Sequence, residues 1–321
     1  MTHLIALSLL VACPATDDTT GDDPTTAAPA YTADVTSKAN VSELSHYTTA
    51  EALMMLGYLT PMLPAFYLDS EDPEAADCPS QSLNAEQTEW TVDAGDGCTD
   101  ASGIAWSGSM VWSEIPSEVE GEYGTFSYVM DDLRYTAEWI DEMEDTGDPT
   151  DDSYIEEFHG DGTFEMDLDA GTFAMLVSLG YSAESLVTGE VEELNWSGEY
   201  AGTMTSNESG YTYAGEGEST VSGLGSVRTV SEAHQWDGEV CDMEYLGGTL
   251  SLEGGDNVAV VTFDGATDCD EDRTGTWTLN GLDKGEIKDV GTCSTAGSTP
   301  ASFIGWLVLP LGLVASRRRR S

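Results

Sequence analysis

Asp268, Asp270 and Asp272 stand at alternate positions, the D-x-D-x-D start of a calcium loop. Oxygen ligands at that spacing suit a hard cation. The sixth position of the loop is Arg273 where an EF-hand needs Gly, and the twelfth is Leu279 where it needs Glu. The run is therefore an acidic loop with a calcium reading and not an EF-hand. Asp93, Asp96 and Asp100 around Cys98 make a second acidic loop of the same kind. The four histidines are His3, His46, His159 and His234. His159 lies in Glu-Glu-Phe-His-Gly-Asp-Gly, where Glu156, Glu157 and Asp161 offer ligands to a divalent metal or ordinary charges to a surface turn. The hydrolase elbow G-x-S-x-G, the P-loop, G-x-G-x-x-G and H-E-x-x-H are all missing. With 60 Asp and Glu in the chain, no pair of carboxylates singles itself out for glycoside hydrolysis. The expectation is a non-enzymatic protein with no cofactor other than calcium.

Charge narrows the partners. The chain has 321 residues, 10 Lys and Arg, and a formal net charge of −50. Such a surface repels nucleic acid and anionic membrane faces and attracts divalent cations and basic partners. Hydrophobic residues make up 40% of the chain, with eight Trp and thirteen Tyr, enough for a packed core.

Four of the ten basic residues, Arg317, Arg318, Arg319 and Arg320, fall in the last five positions. They follow an apolar run over 301–316, interrupted by Gly305, Pro310 and Gly312. A spanning helix needs about 20 residues, so this run is short for a permanent anchor. Ahead of it come Cys293 and a small polar spacer. The order Cys, apolar helix, Arg cluster over 291–321 resembles the C-terminal sorting tails of myxobacterial-type surface proteins. That resemblance implies an intramembrane protease that cuts near Cys293 and a product that moves to the cell surface. At the other end, Leu10-Val11-Ala12-Cys13 resembles the lipobox of bacterial lipoproteins. It implies a signal peptide over 1–12, lipid on Cys13, and a membrane partner held through that lipid. The expected location is the cell surface or outer membrane of a Gram-negative-type bacterium. Residues 13–38, rich in Thr, Asp, Pro and Ala, read as a disordered tether. Asn40, Asn195 and Asn207 each open an N-x-S triplet, which in a bacterial protein has no special role.

Cys78, Cys98, Cys241 and Cys269 remain for the body over 39–290. No C-x-x-C is present, so they read as structural disulfides of an oxidising compartment. Pairing neighbours gives Cys78–Cys98 and Cys241–Cys269, one of three connectivities. Each such loop adds about 3 kcal/mol in the chain-entropy model.

These residues need a scaffold, and the body reads as mainly β: an antiparallel sandwich, barrel or extended sheet. Gly-Thr followed by a large apolar residue recurs at Phe126, Phe164, Phe173, Met204, Leu250 and Trp277. Each reads as a turn feeding a strand, with Thr outward and the large residue inward. Gly254 to Asn257 reads as a hairpin turn. Cys98 and Cys269 are each followed eight residues later by Trp, at Trp106 and Trp277. That echo suggests two subdomains, about 39–190 and 191–290. One short helix is expected over Thr48–Leu59, boxed by Thr48 and Glu51 and stopped by Pro61 and Pro64. A second, acidic helix is expected over Thr136–Asp145. Packing against the sheet is the first use for the Met-rich helix. The rival is a β cup that holds a lipid, glycan or peptide, with Trp90, Trp106, Trp112 and Trp236 exposed to serve it.

Overall fold

The stretch Thr172–Ser185 shows why this chain makes sheet. Phe173, Met175, Val177, Leu179, Tyr181 and Ala183 alternate with Thr, Ala, Leu, Ser, Gly and Ser. Successive side chains of a strand point to opposite faces, so this order gives one apolar face. The computed structural model describes residues 31–65, 67–68, 77–117, 124–140, 153–206, 210–237, 239–241, 245–263 and 274–290. In it the first set is buried and the second is exposed or half-buried.

Among the described residues there are three helices and thirteen strands. The helices are α1 (Lys38–Thr48), α2 (Ala50–Leu59) and α3 (Met62–Ala65). The strands open with β1 (Ser80–Leu83), β2 (Glu89–Thr99), β3 (Ala105–Ile115), β4 (Thr125–Trp139) and β5 (Tyr154–Asp167). They continue with β6 (Thr172–Ser185), β7 (Val191–Ser206), β8 (Gly210–Val221) and β9 (Gly225–Asp237). Last come β10 (Gly247–Gly254), β11 (Asn257–Phe263), β12 (Gly275–Leu279) and β13 (Leu282–Ile287). Every strand pairs antiparallel with the next, so the sheet is a single meander from β1 to β13. The β6–β7 register runs unbroken from Thr172↔Thr203 to Glu184↔Val191. The sheet therefore does not divide at residues 190–191. Its core does divide, two strands later: one apolar cluster gathers α2 with β2–β8, the other gathers α1 with β9–β13.

The Gly-Thr pattern sends Thr outward and the large residue inward, as the alternation requires. Its glycines are not all turns. Gly162 and Gly202 lie inside β5 and β7. Gly162 has φ +116°, and a Cβ there would stand 2.0 Å from the Leu176 carbonyl oxygen, so only Gly fits. The Gly254–Asn257 turn joins β10 to β11 as expected, with Gly255 at φ +58°.

The helical segment departs from expectation in three ways. Thr48 ends α1, where its hydroxyl donates to the Leu44 carbonyl at 2.7 Å. Thr49 has the extended backbone of a cap, and its hydroxyl accepts from the Ala52 amide at 3.3 Å. Glu51 does not close a capping box; its carboxylate accepts from the Tyr245 hydroxyl. The extra helix α1 has a weak apolar face, and Val41 and Leu44 become buried only by packing on the second cluster. Pro61 ends α2, yet one more turn follows it as α3. The acidic helix expected over Thr136–Asp145 does not begin at Thr136: Thr136–Trp139 belongs to β4, where Tyr135 and Ala137 alternate inward. The rest of that stretch, 141–145, lies outside the described residues. Residues 31–38, grouped with the tether by composition, pack on the sheet. Thr32 and Ala33 donate their amides to the Ser226 carbonyl, and Ala33 and Val35 are buried.

Helix α2 lies across the strands on the inner face. Its Ala50 amide donates to Ser231 of β9, while its Tyr58 ring sits 5.1 Å from Phe126 of β4. Between them Gly57 meets Phe164 of β5, where an added Cβ would stand 2.3 Å from the ring. Gly57→Ala should raise helix propensity by about 1 kcal/mol. The overlap with a ring packed against Tyr128 and Phe126 costs more, about 3 kcal/mol. The expected net result is a loss of about 2 kcal/mol in urea unfolding, partly restored by adding Phe164→Leu. A gain in stability would show that α2 stands off the sheet.

Candidate functional site

Cys13, Cys293, Arg317, Arg318, Arg319 and Arg320 lie outside the described residues, as do Cys269, Asp268, Asp270 and Asp272. Among the described residues one disulfide is seen, Cys78–Cys98, which ties the approach to β1 to the end of β2. Two were expected. Cys241 is also disulfide-bonded, to a partner outside the described residues. No described helix is long and apolar enough to cross a membrane.

Two metal readings meet the geometry. The Asp93 carboxylate accepts from the Gly95 amide at 2.8 Å. Asp100 accepts from the amides of Ser102 and Ile104 and from the Trp106 indole. These carboxylates fasten the turns around Cys98. Strand parity splits the other group: in β5, Glu156 faces inward, while Glu157, His159 and Asp161 face outward. His159 instead meets Asp132 at 3.0 Å, on a bulge whose Arg134 also binds that carboxylate. The Arg134 hydrogen bond, then its charge, hold Asp132 below the usual carboxylate range. Among the described residues no group of three His, Cys, Asp or Glu is placed to hold a metal.

Glu156 is the most unusual carboxylate described. It is only 4% exposed, on the inner face near the start of β5. Tyr67, just after α3, donates its hydroxyl to one carboxylate oxygen at 2.5 Å. Tyr135 of β4 donates to the other. The Trp139 indole donates to the Tyr67 hydroxyl at 3.0 Å. Burial, then the Glu156 charge, push the phenols of Tyr67, Tyr135 and Tyr181 far up and Tyr154 up to about 12. The cage is a clamp: it fixes the end of the helical segment to β4 and β5, with both carboxylate oxygens occupied.

A second buried polar group marks the other core. His234 of β9 is fully buried between Tyr245 and Phe263, with ring centroids 5.1 and 5.0 Å away. One ring nitrogen, Nε2, lies 2.8 Å from the Thr249 carbonyl oxygen. Burial pulls its pKa down to about 4, so the ring is neutral. Carrying its proton on Nε2, it donates to that carbonyl. Tyr245 in turn donates to Glu51 of α2 at 2.5 Å. Like the tyrosine cage, this group joins the helical segment to the sheet.

The outer face carries the exposed chemistry. Glu199 of β7 stands opposite Glu218 of β8, and Glu157 and Glu193 flank Ser182 of β6. Like charges set opposite one another destabilise a sheet. Arg228 relieves part of this by pairing with Glu253 at 2.8 Å and Glu216 at 3.0 Å. Among the Trp residues read as exposed, Trp106 and Trp236 are buried, because both face the core. Trp90 and Trp112 are half-buried and stand opposite each other across β2 and β3.

Salt should therefore stabilise the fold. Raising NaCl from about 10 mM to about 500 mM should lift the melting temperature by several degrees, as the Debye length shrinks from about 30 Å to below 8 Å. Calcium at matched ionic strength discriminates further: a much larger rise would mark specific cation binding. Comparisons with protein-family models, with curated proteins and with solved structures returned no match.

Proposed function

We propose that this chain is an acidic, non-catalytic surface lipoprotein with a structural or adhesive role. Lipid on Cys13 holds it to the membrane through the segment that follows. An intramembrane protease cuts near Cys293 and removes the apolar 301–316 segment with Arg317 to Arg320. A second disulfide, Cys241–Cys269, accompanies Cys78–Cys98 in an oxidising compartment. Asp268, Asp270 and Asp272 are the residues that would take up calcium.

One observation carries the reading: the inner face of the sheet is packed by the chain's own α1 and α2, while among the described residues the carboxylate-rich outer face is exposed. The chemistry on offer is contact across a broad face. The rival, a ligand cup lined by the Met-rich helix, is weakened by the same observation. Leu53, Met54 and Tyr58 are buried in the core, and Gly57 lies directly on Phe164. Labelling intact cells with a membrane-impermeant amine reagent tests the display. Lys38, Lys284 or Lys288 should be modified without lysis; labelling only after lysis would place the protein inside the envelope.

A further inference from the structure

One rung of the outer face breaks its acidic pattern. Across β3, β4, β5 and β6 the residues that stand opposite one another are Val111, Val129, Thr163 and Leu176. Val129 is 52% exposed and Leu176 is 58% exposed. The rung ends on β7 at Glu199. On one side the next outward position of β5 is Glu165, and on the other it is Asp161, with Asp131 beside it on β4. Asp131, Asp161, Glu165 and Glu199 thus stand beside an apolar bar, interrupted by Thr163, about 14 Å long, three strand spacings of about 4.8 Å each. Ser109, Ser113, Ser127, Ala174 and Ser178 hold the other flanking positions.

The geometry points to a docking surface for a cationic amphipathic helix of another protein. Helical side chains at i, i+3 or i+4, and i+7 recur about every 5 Å along one face. A helix laid across the strands would set its apolar side chains on Val111, Val129 and Leu176 in step with the strands. Its flanking Lys and Arg would then face Asp131, Asp161, Glu165 and Glu199, which supplies the charge complementarity. A second copy of this chain is a poor occupant, since these four carboxylates would meet the acidic face of the copy. An anionic bilayer is repelled for the same reason. The surface does not depend on lipid at Cys13 or on loss of the tail, so its test stands apart from that of surface display.

The test uses the full chain and two labelled peptides of about 18 residues, one a Leu/Lys amphipathic helix and one an oligolysine of equal charge. Fluorescence anisotropy at physiological salt should show the amphipathic peptide binding at least about tenfold tighter. Val129→Thr with Leu176→Thr keeps strand-favouring residues at two outward positions. It should remove that advantage and leave oligolysine binding unchanged. Glu165→Gln with Glu199→Gln should weaken both peptides and flatten the salt dependence, which covers the case in which the first variant folds poorly. Equal binding of the two peptides by the native chain would overturn the proposal. So would undiminished binding by the Thr variant, or self-association in sedimentation that the Thr variant abolishes.

Discussion

Glu156→Ala should destabilise the fold by about 4 kcal/mol, measured by urea unfolding. Two phenols, buried Tyr135 and half-buried Tyr67, donate to this carboxylate. Without it each hydroxyl lacks its acceptor, at about 1–3 kcal/mol apiece, and both lost bonds were charge-assisted. Glu156→Gln keeps one carbonyl acceptor and should lose about half as much. The triple change Tyr67→Phe, Tyr135→Phe, Glu156→Leu should recover most of the loss. It removes the buried charge together with its partners, and such replacements are often neutral. It also removes the Tyr67 hydroxyl to which the Trp139 indole donates. Spectrophotometric titration adds a second readout. Tyr154, held up to about 12 by burial and then by Glu156, should ionise earlier in Glu156→Gln, with burial keeping it above an ordinary tyrosine. A loss under about 1 kcal/mol in Glu156→Ala would mean that water reaches the cage.

The second large effect is a loss of stability in mild acid, traceable to His234. In the unfolded chain this histidine titrates at its ordinary value of 6.5; in the fold, burial lowers it to about 4. Between those values the unfolded chain binds the proton and the fold does not, so stability falls as pH falls. The contribution is complete above pH 6.5. It should drop by about 2 kcal/mol on reaching pH 5 and by about 3 kcal/mol near pH 4. Carboxylates titrate in the lower part of that window, and their neutralisation also relieves the net negative charge. The difference between the native chain and His234→Phe isolates the histidine: the variant should lack the slope between pH 6.5 and 5. Matching slopes would mean that His234 is protonated within the fold.

The β character was legible because alternation and Gly-Thr turns are local signals. The Gly254–Asn257 hairpin was legible for the same reason. Choosing among sandwich, barrel and extended sheet was not, since strand order depends on contacts far apart in sequence. Helix α1 buries Val41, Leu44, Ser45 and Thr48, only two of them apolar, and its formation rests on tertiary packing. The burial of Glu156 was within reach. It shares parity with Phe158 and Phe164 along β5, and once that strand is recognised the same parity sends His159 outward. Its partner Tyr67, 89 residues away, gave no such signal. His234 was hidden by a bulge: Ala233 at φ +50° shifts the alternation between Ser231 and His234.

The proposed function requires display at the surface after processing of both ends. Its most direct test is the intact mass of the mature protein from washed envelopes, with both termini mapped. A lipid-modified Cys13 at the start and no residue far beyond Cys293 at the end is the predicted result. An unmodified N-terminus with Arg317 to Arg320 still attached would contradict it.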